Sequence, residues 1–148
     1  MVKKVRMTAD TPEKGQYRSE IISATIGRYR EALEKGFYLE AITIAESLIA
    51  DRLESRAVFL GKNDAMFSTI GKLCGKLEDD DPILSDLLPS IRDWADGRNK
   101  ALHALAKIED GDVADFEDKY AATKDTAEAG LIIFRKLDSA LKKLRSTL

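Results

Sequence analysis

The sequence predicts an all-α domain, an up-and-down bundle of four to five helices. Apolar residues recur at three- and four-residue spacing along most of the chain, and no stretch sustains strand alternation. Turn-forming residues divide the periodic stretches into segments of helical length. At 148 residues, 44% hydrophobic and 34% charged, the chain has the size and composition of one domain that folds without staples. The only cysteine, Cys74, excludes an internal disulfide, argues against a Cys-ligated metal centre and fits a reducing compartment.

Residues 1–16 mix charge with the turn formers Pro12 and Gly15 and show no sustained period, so they are expected to be a flexible or loosely packed leader, with 17–148 as the helical domain. Within the leader, Val2, Val5 and Met7 are the residues available to pack on the body. A first helix is expected from Ser19, its N-cap, through Ile22, Ile26, Tyr29 and Leu33, ending at Gly36. The second is longer and more apolar, running from Tyr38 through Ala41, Ile42, Ala45, Leu48, Ile49 and Leu53 towards Leu60. It is expected to be the central packing element, antiparallel to the first because so few residues join them.

Gly61 to Asp64 form a turn, with Asp64 the expected cap of a short third helix carrying Met66, Phe67, Ile70, Leu73, Cys74 and Leu77. The acidic run Glu78 to Asp81 before Pro82 reads as the start of a fourth helix, with proline in its first turn. That helix carries Leu84, Leu87, Leu88, Ile91, Trp94, Ala95, Ala101, Leu102 and Leu105, with Pro89 as a site for a kink and Gly97 for a small bend. After a turn at Asp110, Gly111 and Asp112, a last helix carries Val113, Phe116, Tyr120, Ala127, Leu131, Phe134, Leu137, Leu141 and Leu144. Its basic tail, Arg135, Lys136, Lys142, Lys143 and Arg145, suits a helix C-terminus and would equally suit a phosphate-binding surface.

Twenty-four basic and 26 acidic residues give a net charge of -2, which excludes a strongly basic nucleic-acid coat but allows a local basic surface. No apolar run approaches the length of a membrane span, and Lys3, Lys4 and Arg6 are not followed by an apolar signal segment, so a cytoplasmic protein without membrane contacts is expected.

No phosphate-binding glycine loop, dinucleotide fingerprint or HExxH motif is present. Polar chemistry concentrates in the segment from Asp96 to His103, which holds Arg98, Asn99 and the sole histidine, His103. On a helix Asn99 and His103 share a face, so the amide is placed to orient the imidazole. Arg98 is about 140° around the axis from His103, one turn beyond Trp94, at the border of the apolar stripe. An imidazole transfers protons near neutral pH and a guanidinium clamps phosphate, so the pair suits phosphoryl chemistry. The same residues would also serve as ordinary solvent or interhelical contacts.

The run Arg98-Asn99-Lys100-Ala101-Leu102-His103 resembles the Arg-x4-His signature of the HEPN superfamily (higher eukaryotes and prokaryotes nucleotide-binding domains). The stretch from Tyr38 to Arg56, with its internal carboxylates, is similar to the second helix of those bundles. The resemblance implies metal-independent RNA cleavage, without a cofactor, at a composite site facing across a homodimer. Carried over, Arg98 binds the scissile phosphate, His103 is general base or acid, and Asn99 holds the hydrogen-bond geometry. Products would be a 2′,3′-cyclic phosphate and a 5′-hydroxyl, and DNA would resist for want of a 2′-OH. Glu46, Asp51 and Arg52 are the supporting candidates on the second helix; Glu46 either braces Arg98 or is simply solvated.

Relatives of this kind include toxins held by a nucleotidyltransferase-type antitoxin, defence ribonucleases and non-catalytic scaffolds. Two other classes therefore stand beside the ribonuclease: a protein-interaction or regulatory module, favoured by the acidic stretches Glu78 to Asp81 and Glu109 to Asp118, and a nucleotide-binding module that uses Arg98 without cleavage.

Overall fold

The computed structural model describes residues 12–65, 67–78, 82, 84–105 and 116–146, all helical or in turns between helices. Five helices form an up-and-down bundle: α1 (Pro12–Glu34), α2 (Tyr38–Phe59), α3 (Ile70–Leu77), α4 (Leu88–Leu105) and α5 (Phe116–Ser146), with one 3-10 turn among the described residues, at Asn63–Ala65. Among the described residues there is no strand, and no helix is long and apolar enough to cross a membrane.

The first helix starts seven residues before the expected Ser19. Pro12 is its first residue, where a missing N–H breaks no helical bond and the ring presets φ. Residues 12–16 thus belong to α1, while the rest of the expected leader, with Val2, Val5 and Met7, lies outside the described residues.

Two glycines end helices by the same device. Gly36 (φ 78°) donates its N–H to Leu33 O at 3.1 Å and Phe37 donates to Ala32 O at 2.7 Å. Gly61 (φ 84°) donates to Val58 O at 2.9 Å and Lys62 to Ala57 O at 2.9 Å. Both are Schellman closures, in which a left-handed residue lets the chain turn back and satisfy the last carbonyls.

Three local expectations are corrected. Thr69, not Asp64, caps α3, its side-chain oxygen accepting the Lys72 N–H at 3.3 Å, while Asp64 sits in the 3-10 turn and pairs with Lys76. Phe67 stands outside the helix with φ 60° and 77% exposure. Pro82 does not open α4: Leu84 to Leu87 form turns, and α4 begins at Leu88 with Pro89 in its first turn, so Pro89 starts the helix instead of kinking it. The expected turn at Asp110 to Asp112, Val113 and most of both acidic stretches lie outside the described residues.

The centre of the bundle is α2, which packs on α1, α3 and α5, while α5 also carries α4. Ala41, Ile42, Ala45, Ile49, Leu53 and Ala57 are fully or almost fully buried along it. Helices α2 and α5 run parallel, as successive contacts show: Tyr38 with Tyr120, Ala45 with Gly130, Arg52 with Asp138. Their closest approach is at Gly130, where a Cβ would lie 2.5 Å from that of Ala45 and 3.2 Å from Trp94 Cζ2. Glycine is required there because three helices meet over one backbone. Trp94 is fixed at this junction by its indole N–H, which donates to Thr126 O at 2.9 Å.

Candidate active site

Directly on the three-helix junction sits Arg98. It lies one helical turn beyond Trp94, its guanidinium carbon 6.0 Å from the centre of the indole ring. The side chain is only 13% exposed, and its Nη1 pairs with the carboxylate of Glu46, the neighbour of Ala45 on α2. Nε and Nη2 both donate to Asn99 Oδ1, at 3.1 and 2.7 Å. The planar fork is therefore held on three sides by an indole, a carboxylate and an amide oxygen.

The amide of Asn99 thus faces Arg98, where the sequence placed it to orient His103. His103 is exposed in the last described turn of α4 and has no hydrogen-bond partner among the described residues. Five residues separate it from Arg98, about 7.5 Å along the axis and 140° around it. Within one chain the guanidinium turns inwards and the imidazole outwards, so the two do not converge on one point.

Of the three supporting candidates on α2, Glu46 is brought to Arg98 and the other two face elsewhere. Asp51 accepts from Arg18 of α1 at 2.7 Å, beside a shallow groove of about 310 Å³ lined by Ile21, Ile22 and Leu48. Arg52 is buried and pairs at 3.1 Å with Asp138 of α5, which also binds Lys142 at 2.9 Å. One turn of helix is 3.6 residues, so positions 46, 51 and 52 point to three neighbours.

Trp94, Gly130 and Tyr120 shape this end of the molecule and were not singled out as site residues from the sequence. The spacing of four between Trp94 and Arg98 was the signal for the first; nothing local marks the other two. Tyr120 donates its hydroxyl to Gly36 O at 2.6 Å and accepts the Tyr38 N–H at 3.3 Å, so it caps α2, whose N-cap residue Phe37 makes no side-chain cap of its own.

The basic tail is at the other end. Helix α4 runs against α5 in the up-and-down order, so from the Trp94 level His103 lies towards the start of α5 and Lys142 towards its end. Cys74 is buried, and burial pushes its thiol above the ordinary value, against the opposing pull of Arg92. Among the described residues no three His, Cys, Asp or Glu side chains converge as metal ligands would.

No protein-family model, curated protein or solved structure matches this chain.

Proposed function

We propose that the protein is a metal-independent endoribonuclease of HEPN-like type, acting as a homodimer. The observation that carries this reading is the clamped Arg98, held by Glu46, Asn99 and Trp94 on the same helix as an exposed His103 that has no hydrogen-bond partner among the described residues. A half-buried, preorganised guanidinium beside the surface suits the stabilisation of charge building on a phosphate oxygen. A free imidazole is what general acid or base catalysis at a ribose 2′-OH asks for.

Because one chain aims these groups in different directions, the reading requires a second copy. Two α4 helices facing across a two-fold axis would present an Arg98 and a His103 from each chain to one phosphate. In this scheme Arg98 binds the phosphate, His103 moves the proton, and Glu46 and Asn99 position Arg98. A cellular ribonuclease of this kind would need restraint, which a nucleotidyltransferase-type antitoxin would supply.

The test is cleavage of single-stranded and structured RNA in EDTA by wild type, Arg98→Ala and His103→Ala, with product ends identified. Cyclic phosphate ends and a loss of at least about 100-fold in both variants are expected. Light scattering should give twice the 16.4 kDa chain mass. A folded, antitoxin-free dimer that cleaves nothing across a broad RNA panel overturns the reading.

One observation favours a protein-interaction module instead. Phe59 and Phe67 are 64% and 77% exposed, and Phe67 adopts a left-handed backbone while its N–H is held by Glu54 at 2.7 Å. A bulky residue is rarely kept in that conformation, and such strain clusters at binding sites.

A further inference from the structure

We infer that the outer face of α5 is a self-association surface, on which a second copy of this chain lays its own α5 antiparallel across a two-fold axis at Ile132. The contact is separate from the pairing of α4 that the ribonuclease reading requires, and it does not rest on that reading.

The face is defined by one helix. Ile132 is 57% exposed near the middle of α5, on the side opposite the buried Ala127, Phe134, Leu137 and Leu141. At about 100° per residue, Asp118, Asp125 and Glu128 before it and Arg135, Lys136 and Lys143 after it lie within about 60° of it around the axis. All of them are exposed. Charge is therefore sorted by half, acidic towards the start and basic towards the end, with the apolar Ile132 at the crossover.

The helix dipole does not account for this sorting, because its influence is confined to the first and last turns. Asp125 and Glu128 lie nine and twelve residues inside the start at Phe116, and Arg135 and Lys136 lie eleven and ten residues short of the end at Ser146. Pairing within the helix does not account for it either. Asp125, Arg135 and Lys136 have no ion-pair partner among the described residues, and Glu128 meets Lys124 only at a long 3.9 Å. Asp125 and Glu128 are like charges three residues apart, a spacing at which they repel.

A second α5 running antiparallel resolves the pattern. Under a two-fold axis at Ile132, each acidic half lies along the basic half of the other copy, whereas a parallel partner would set like charges together. Glu128, about 6 Å before the axis, comes level with Arg135 of the second copy, about 4.5 Å beyond it on the same flank. On the other flank Asp125 falls between Lys136 and Lys143 of the second copy. Each contact occurs twice, and the two Ile132 side chains meet on the axis. A wholly acidic or wholly basic partner, nucleic acid included, would be repelled by one half of this face, so a second copy is the occupant it fits.

The experiment is light scattering of the full chain at about 0.1 mM in about 0.01 M and about 1 M sodium chloride, between which the screening length falls from about 30 to 3 Å. The average mass at low salt should be at least twice that at high salt. At high salt only the pairing of α4 remains, so the two contacts are read apart. Glu128→Arg and Arg135→Glu should each raise the Kd of the low-salt step at least about 10-fold, because two attractions become repulsions, and the double variant should restore it. Within one chain these positions are about 10 Å apart along the axis, too far to pair, so restoration reports a contact between chains.

The register is tested by Ile132→Cys. Helices packed about 8–10 Å apart, with Cα atoms about 2.3 Å from each axis, bring the two 132 positions within disulfide reach on oxidation. Asp118→Cys, about 21 Å from the two-fold on each chain, should not cross-link, and the native Cys74 is buried. A mass independent of salt, a double variant that associates no better than the single ones, or cross-linking at 118 as complete as at 132 would each overturn the inference.

Discussion

Arg98 of α4 and Glu46 of α2 form an ion pair over the junction where Trp94, Ala45 and Gly130 meet. The two residues are 52 positions apart in sequence. They come together because the missing side chain of Gly130 lets Ala45 of α2 and Trp94 of α4 meet over α5, which brings the long side chains of their neighbours Glu46 and Arg98 within reach of each other. The guanidinium is thus built into the scaffold, while His103, about one and a half turns further, is exposed and has no such partner among the described residues.

This difference predicts a stability contrast. Arg98→Ala should destabilise the fold by about 1–3 kcal/mol, because it strips the pairing from Glu46 and Asn99 and the packing on Trp94. His103→Ala should stay within about 0.5 kcal/mol of wild type, as an exposed residue away from such features does. Urea unfolding of both variants checks this, and an equally unstable His103→Ala would reveal a structural imidazole.

Gly130→Ala should be destabilising by at least about 1–3 kcal/mol, since the new methyl would lie 2.5 Å from Ala45 Cβ. Gly97→Ala is the control: nothing lies within 4 Å of a Cβ there, the residue is helical, and the change should stabilise by about 0.5–1 kcal/mol. Thermal melts that shift in the same direction for both would contradict the three-helix junction.

Removing Asp138 should unsettle Arg52, whose side chain is 9% exposed against 19% for the carboxylate. A loss of about 3 kcal/mol, or roughly 10 °C in Tm, is expected for Asp138→Ala. Replacing both residues, Arg52→Met with Asp138→Leu, should recover much of it, because the desolvation of both charges is removed together. A double variant no more stable than Asp138→Ala would argue that the pair does more than neutralise itself.

Acid should release the surface pairs. The hydrogen bond and charge of Arg92 hold the Glu78 carboxyl below its ordinary 4.5, and Lys76 does the same for Asp64, ordinarily 3.8. A depressed folded-state value means that the stabilisation is present above the unfolded value and is lost as pH falls through the folded one. Both groups are exposed, so the effect is small and salt-screened. The Tm difference between wild type and Glu78→Gln, measured at low salt, should therefore be largest near neutral pH and shrink steadily as pH falls below 4.5; a difference that does not change with pH would show that the glutamine acts through packing.

Periodicity and turn chemistry alone account for the all-α class, the span of α2 and the glycine stops at Gly36 and Gly61, because each depends on residues within a few positions of one another. The start of α4 at Leu88 is not fixed locally, because Pro82 and Pro89 both suit a first helical turn and local rules do not rank them. Around the site, residue types and their spacing were enough to single out Arg98, Asn99 and His103 as the polar group on one helix. That Asn99 faces Arg98 and not His103, and that Glu46 but neither Asp51 nor Arg52 reaches the guanidinium, depends on how α2 is rotated against α1, α4 and α5. The capping of α2 by Tyr120 and the exposure of Phe116 depend on the same packing. Rotation and approach are set by the summed contacts of distant side chains, above all at Gly130, and no short window of sequence contains them.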